Sequence, residues 1–252
     1  LIESQRTNLL RWSEVFTDAL WTKSRSTISA NVAISPDGTA NASKLVEDTA
    51  TGTHRMYQTA SKAASSLTRT FSFYAKAAER TLAQILVSDN SEVVVASAEI
   101  DLSAGTIGTA SVAGGATITA ASASIVPAGN GWHRCSITAT FDATISNPVA
   151  FVRLRDAGGS TSYTGDGTSG ILVWGAQWED GSYATSYIPT AGSQVTRTAD
   201  TAAIVAPNFA PWYNQSEGTF VVEAYSVTPA SLTSYRAMSV SDGTTNNHLS
   251  VF

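Results

Sequence analysis

The chain has 252 residues, of which 43% are hydrophobic and only 14% charged, with a formal net charge of −5 at pH 7. That length suffices for one large β domain, or for one domain and part of another, and the apolar fraction can fill a core. No basic face is available to neutralise phosphates, so neither nucleic acid nor an anionic membrane is expected as a partner, and an uncharged ligand fits better.

Cys135 is the single cysteine. An intrachain disulfide and a thiolate metal cluster are thereby excluded, and its place in a strand-like run predicts a buried, inert thiol. No apolar run approaches the roughly 20 residues of a bilayer-spanning helix, and no charged-then-apolar signal opens the chain. Leu1 is not a native start, so the sequence reads as a piece of a longer or processed chain.

Ser, Thr, Gly and β-branched residues dominate, and apolar positions recur every two residues, which predicts an all-β chain. In chain order the candidate strands are "HRMYQTA" (54–60), "TRTFSFYAKA" (68–77), "TLAQILVSD" (81–89), "ATITAASASIV" (116–126), "HRCSITATF" (133–141), "VAFVRLRD" (149–156) and "GILVWGAQWE" (170–179). Turn groups such as "PDG", "AGG", "AGNG" and "DAGG" separate them, and this many short strands predicts an antiparallel sandwich. The low-charge stretch "DLSAGTIGTASVAGGATITAASAS" carries spaced Ile107, Val112 and Ile118, with Ile125 just beyond, and is expected to form a hairpin of small side chains.

In the last of these strands, Leu172, Trp174, Ala176 and Trp178 alternate with Val173, Gly175, Gln177 and Glu179. The tail that follows, "GSYATSYIPT", cannot be helical across Ile188-Pro189, yet Tyr183, Tyr187 and Ile188 are too apolar for a solvated linker. It is expected to lie flat against the first domain, with Pro189 marking the turn toward the next. Strand patterning then restarts at "GTFVVEAYSV" and continues through "YRAMSVSD" and "HLSVF". About three strands are too few to close a sandwich core. The expected division is therefore a jelly-roll β-sandwich over 1–198 and a partial second sandwich over 199–252.

Chemistry-bearing constellations are sparse. No two histidines share a metal-ligand spacing and no Gly-x-Ser-x-Gly elbow occurs. The carboxylates of Glu14, Asp18, Asp37, Asp48, Asp166 and Glu179 are scattered, so the expectation is a chain that is not an enzyme. "YTGDGTSG" reads as a turn in which Asp166 stabilises its own backbone. Sugar binding needs aromatic faces and planar polar groups, and alternation supplies candidates. With Phe71, Phe73, Val152 and Leu154 inward, Tyr74, Lys76, Arg153 and Arg155 face out, joined by Gln177 on the last strand. These five are the expected carbohydrate-binding residues of one concave face; a solvated sheet face or a subunit interface is the competing reading. Trp12, Trp21, Trp132 and Trp174 are expected in the core.

The segments "LIESQRTNLLRWSEVFTDALWTKS", "FSFYAKAAERT", "GNGWHRCSITAT" and "YTGDGTSGILVWGAQWEDGSYATSYIPT" together resemble a module common in bacteriophage tail, fibre and head-appendage proteins, over roughly residues 1–198. The skeleton is similar to the jelly-roll carbohydrate-binding modules attached to glycoside hydrolases, and departs at Trp178, where that family usually carries Leu. The start of the second unit resembles the opening strands of a laminin-G or concanavalin-A-like lectin sandwich. The resemblance implies a virion-surface protein that binds host cell-surface polysaccharide, contacts other virion proteins and forms a homo-oligomer, with a trimer favoured. It implies a last strand that pairs with the first, Trp174 and Trp178 in the core, and a structural calcium ion near that junction, for which Glu14, Asp18 or Glu179 could supply oxygen donors; carboxylates in solvated loops are the competing reading. A purely structural head-fibre or decoration protein, and a binding module of a larger polysaccharide-degrading enzyme, are the alternatives.

Overall fold

Period-two alternation of small polar and apolar residues builds strands along the whole first part of the chain, and the computed structural model contains strands and turns only, among the residues it describes (2–89, 92–201, 238–241 and 248–251). The chain divides into two compact units, Leu1–Asp200 and Thr201–Phe252. In the first, the strands are β1 (Arg6–Asn8), β2 (Thr22–Ser24), β3 (Ser26–Ala33), β4 (Ala42–Glu47), β5 (Thr51–Gly52), β6 (Arg55–Thr59), β7 (Leu67–Ala77), β8 (Leu82–Ser88) and β9 (Val95–Asp101). They continue with β10 (Thr106–Ile107), β11 (Ser111–Ala113), β12 (Ile118–Pro127), β13 (His133–Phe141), β14 (Val149–Leu154), β15 (Tyr163–Thr164), β16 (Gly170–Asp180) and β17 (Val195–Arg197).

Two antiparallel sheets face each other as a sandwich. The first runs β10-β9-β8-β14-β6-β2, with β11 also pairing β9; the second runs β12-β13-β7-β16-β4-β3. The chain crosses repeatedly between the two, from β6 to β7, β7 to β8, β11 to β12 and β13 to β14, in the manner of a jelly roll. Phe71, Phe73, Ile137, Phe141 and Trp178 from the second sheet meet Ile85, Ala98, Val152 and Met56 from the first. Phe71 and Phe73 stack at 5.8 Å, and Trp178 presents its edge to Phe71 at 6.3 Å. Each such side chain contributes roughly 1.5–3 kcal/mol by leaving water.

Several strands of the two sheets were not among the sequence expectations, β3, β4 and β9 the longest of them. β9 buries Ala96 and Ala98, whose small side chains give little hydrophobic contrast. β4 is buried on both faces and β3 is mostly exposed, so neither shows clean alternation. The expected hairpin of 101–124 is also replaced. β10 and β11 return along β9 in the first sheet, while β12 crosses over to pair with β13 in the second.

β16 departs from simple alternation at one place. Gly175 has φ +58°, and the register against β7 slips between Trp174 and Gln177. The extra residue of this bulge turns the strand over. Val173, Ala176 and Trp178 therefore point into the core, whereas Trp174 faces outward, buried against Tyr74 and Tyr187 rather than in the main core. The bulge lies where β16 changes neighbours. Gly170–Val173 pair with β4, and beyond it the strand meets the N-terminal segment, Ala176 N–H donating to Ser13 O (2.9 Å) and Leu9 N–H to Trp178 O (2.7 Å).

The chain does not leave the first unit at Pro189. Thr190 N–H donates to Ser13 Oγ at 2.8 Å, β17 pairs with β1, and Asp200 N–H donates to Glu3 O at 2.9 Å. In the second unit β18 (Met238–Ser241) and β19 (His248–Val251) form an antiparallel pair. The strand expected at "GTFVVEAYSV" lies outside the described residues.

Candidate functional site

Alternation places hydroxyl-bearing residues in rows across the outer face of the second sheet. Cross-strand register aligns Ser122 with Thr138 and Thr70, Ser124 with Ser136 and Ser72, and Val126 with Arg134 and Tyr74. Between β13 and β7 the threonines are hydrogen-bonded to one another, Thr70 to Thr138 and Thr68 to Thr140, both at 2.8 Å. Such ladders stiffen the surface they display. A groove of about 510 Å³ lies over these rows, walled on one side by Ser182, Tyr183 and Ala184 of the tail.

The tail is held by a polar latch. Gln177 and Glu179 face away from the core and are fully buried beneath it. Glu179 accepts from the backbone and hydroxyl of Thr185 (2.8 and 2.7 Å) and from Gln177 Nε2 (2.6 Å), while Ile188 N–H donates to Gln177 Oε1 (2.7 Å). Buried polar groups are costly unless satisfied, and here they satisfy the tail's backbone. Tyr187 packs its ring against Trp174 at 4.8 Å and donates its hydroxyl to Glu14 Oε1 at 3.0 Å, with Ser13 Oγ 2.6 Å away. Burial, and then the nearby Glu14 carboxylate, push the Tyr187 hydroxyl well above its ordinary range. Burial likewise raises Glu14, against the lowering effect of the Tyr187 hydrogen bond.

Arg134 lines the groove beside Tyr74. Its Nη1 donates to Thr185 O at 2.6 Å and its Nη2 to Ser72 Oγ at 3.0 Å, with the guanidinium 5.5 Å over the ring of Tyr74. Tyr74 is thus covered by Arg134 and packed edgewise against Trp174, at 5.2 Å, so it acts as a support for the arginine. Tyr183, with Arg6 over its ring at 5.6 Å, lines the groove.

The five residues expected to share one face do not. Tyr74 and Lys76 lie on the outer face of the second sheet, at the groove and beyond its end. Gln177 is on the same face, sealed under the tail. Arg153 and Arg155 belong to the opposite sheet, because β14 is inserted between β8 and β6. There Arg153 donates to Gln84 Oε1 at 3.0 Å, and Arg155 pairs with Glu99 at 2.7 Å. Arg134, Tyr183 and the hydroxyl rows were missed. The signal was present in "HRCSITAT", where Cys135, Ile137 and Ala139 alternate with Arg134, Ser136 and Thr138.

Glu14, Asp18 and Glu179 do not fit a calcium ion. Both oxygens of Glu179 serve the tail, Glu14 serves Tyr187 and Asn41, and Asp18 accepts from Leu20 N–H in its own turn. Among the described residues no group of three or more His, Cys, Asp or Glu side chains is placed to hold a metal. His54 and Asp166 serve the fold. His54 is buried with both ring nitrogens on backbone carbonyls, and Asp166 accepts from the backbone N–H groups of Thr168 and Ser169. The Cys135 thiol is pushed up to about 12 by burial.

No protein-family model and no curated protein matches this sequence. Among solved structures, the enzymatically active domain of bacteriophage CBA120 tailspike protein 4 is similar over 69% of this chain and 21% of that one, at 15% identity and a TM-score of 0.41. The chain spans about a fifth of that structure's length. Against the expectation of a chain that is not an enzyme stands this neighbour's description as enzymatically active, which is said of that protein.

Proposed function

We propose that this is a bacteriophage tail-associated protein whose first unit binds host cell-surface glycan in the groove of the second sheet. The phage setting rests on the motif set of residues 1–198. The observation that carries the binding reading is the groove itself, where rows of serine and threonine hydroxyls lie beside Tyr183 and an oriented guanidinium. Sugars offer many hydroxyls and apolar C–H faces, and a wall of small hydroxyls with an aromatic flank complements both.

The test is binding of the purified full chain to a glycan array, beside a variant in which the groove is filled. Ser124 is exposed on the outer face of β12 and lines the groove, so Ser124→Trp adds bulk without touching the core. Binding by the parent and loss in the variant, at an unchanged denaturation midpoint, supports the reading. Binding that survives the filled groove overturns it.

A second reading, a structural virion protein built for contacts between copies, is favoured by one observation. β12 is the outermost strand of its sheet, ten residues long and free of charge. Edges of this kind invite strand pairing unless charged or covered. A concentration-dependent oligomer dissociated by Ser122→Lys on that strand, with no glycan bound, favours this second reading over the first.

A further inference from the structure

We propose that the groove takes an acidic glycan, with a sugar carboxylate seated on Arg134. The inference rests on the glycan reading above and narrows it to a charge class. Among the described residues Arg134 is the only charged side chain lining the groove. A guanidinium carries five N–H donors. Two of them go to neutral acceptors, Thr185 O and Ser72 Oγ, and Nε is shielded from solvent without a hydrogen-bond partner. The group is therefore oriented by its contacts while its charge stays uncompensated.

Several arginines of the fold are neutralised: Arg69, Arg80, Arg155 and Arg197 each face a carboxylate, whereas Arg134, like Arg11, Arg25 and Arg153, belongs to no ion pair among the described residues, and of these four it alone lines this groove. Lys76, two positions along β7 on the same face as Tyr74, is also outside those pairs, its Nζ donating to Asn130 O at 2.7 Å. The groove thus combines neutral hydroxyl walls with positive charge at its Tyr74 end. A partly desolvated cation gains most from an anion, since charge-assisted hydrogen bonds are about twice as strong as neutral ones. The net charge of −5 pointed to an uncharged ligand, but net charge averages over the whole surface and recognition is local.

The experiment is calorimetric titration of the full chain with oligosaccharides of polygalacturonate and of alginate, each beside its carboxyl-reduced form, at low and high salt. The acidic member of a pair is expected to bind on the order of tenfold tighter, the difference one charge-assisted hydrogen bond supplies. The preference shrinks as salt rises. Arg134→Gln is expected to erase the preference. Because that change also frees Thr185 O, Lys76→Gln serves as a second variant that leaves the tail contacts in place and lowers the preference by a smaller factor. Equal binding of acidic and reduced forms overturns the charge inference and leaves the glycan reading standing. Acidic binding untouched by both variants overturns it by placing the site elsewhere. No binding to either member of any pair also overturns it, and with a blank glycan array the glycan reading falls as well.

Discussion

Asn8 Oδ1 accepts a hydrogen bond from the backbone N–H of Trp178 at 3.1 Å, and this one side chain ties the start of the first unit to its last long strand and to the tail. The same oxygen accepts from Leu10 N–H, while Nδ2 donates to Ala176 O at 3.1 Å and to Ile188 O at 2.8 Å. Asn8 is fully buried, so no water stands ready to replace these four bonds. Asn8→Ala would leave buried backbone groups unpaired at about 1–3 kcal/mol each, and a loss of at least ~3 kcal/mol is expected in urea denaturation. Asn8→Asp keeps the acceptor but sets a second carboxyl oxygen against the Ala176 and Ile188 carbonyls in a fully buried site, and is expected to cost at least as much as Asn8→Ala.

Tyr187 tests whether the tail is part of the first unit. Its ring lies on Trp174 and near Tyr74, and its hydroxyl reaches Ser13 and Glu14. Tyr187→Ala is expected to cost about 2–4 kcal/mol, Tyr187→Phe about 1 kcal/mol, and Ser186→Ala, at an exposed position, less than about 0.5 kcal/mol. Denaturation midpoints of the three variants decide it. A tail that merely tethers would give three midpoints equal to the parent's, with rapid proteolysis between Asp180 and Thr190.

The contrast between what alternation reveals and what it hides is clearest in β16. Its strand character follows from period two, as do the inward Phe71 and Phe73 of β7. The direction of Trp174 does not, because one glycine at positive φ inserts a residue and reverses every later side chain. A groove is harder still to read. Arg134 becomes a site residue only because β13 lies between β12 and β7, and Ser72 and Thr185 meet it from 62 and 51 residues away. Arg153 and Arg155 share the same local pattern, yet their strand joins the other sheet. Local spacing is silent on sheet membership.

Gly175 links that bulge to the groove. At φ +58° a side chain is strained, and a Cβ there would stand 2.9 Å from Tyr74 Cδ2. Gly175→Ala is expected to cost about 1–3 kcal/mol from the left-handed backbone and the displaced ring together. The same displacement moves the ring beneath Arg134, so glycan affinity is expected to fall in parallel. Gly129→Ala, also at positive φ but with nothing within 4 Å of the added Cβ, is the control for strain alone, and should lower stability without moving affinity.

Acid sensitivity is expected to centre on Glu47, a buried carboxylate that joins β4 to the loop before β16. Burial works against its charge, but bonds from Arg80 (2.9 and 2.5 Å), the Asp166 N–H (2.9 Å) and the Tyr163 hydroxyl (2.7 Å) outweigh it and hold the carboxyl below its ordinary value of 4.5. A carboxyl depressed in the folded state contributes stability that is present above the unfolded value and lost as pH falls through the folded one. Stability is therefore expected to be level above about pH 5 and to drop steadily below 4.5, as the unfolded chain takes up a proton that the folded chain refuses. Glu47→Gln should be less stable at neutral pH, because Arg80 is left without its buried partner, and its stability should decline less steeply with acid. Denaturant titrations of both proteins at pH 3.5, 5 and 7 measure the two slopes, and parallel slopes would assign the acid response to other carboxylates, with Glu3, also held low through Arg197, next to be replaced.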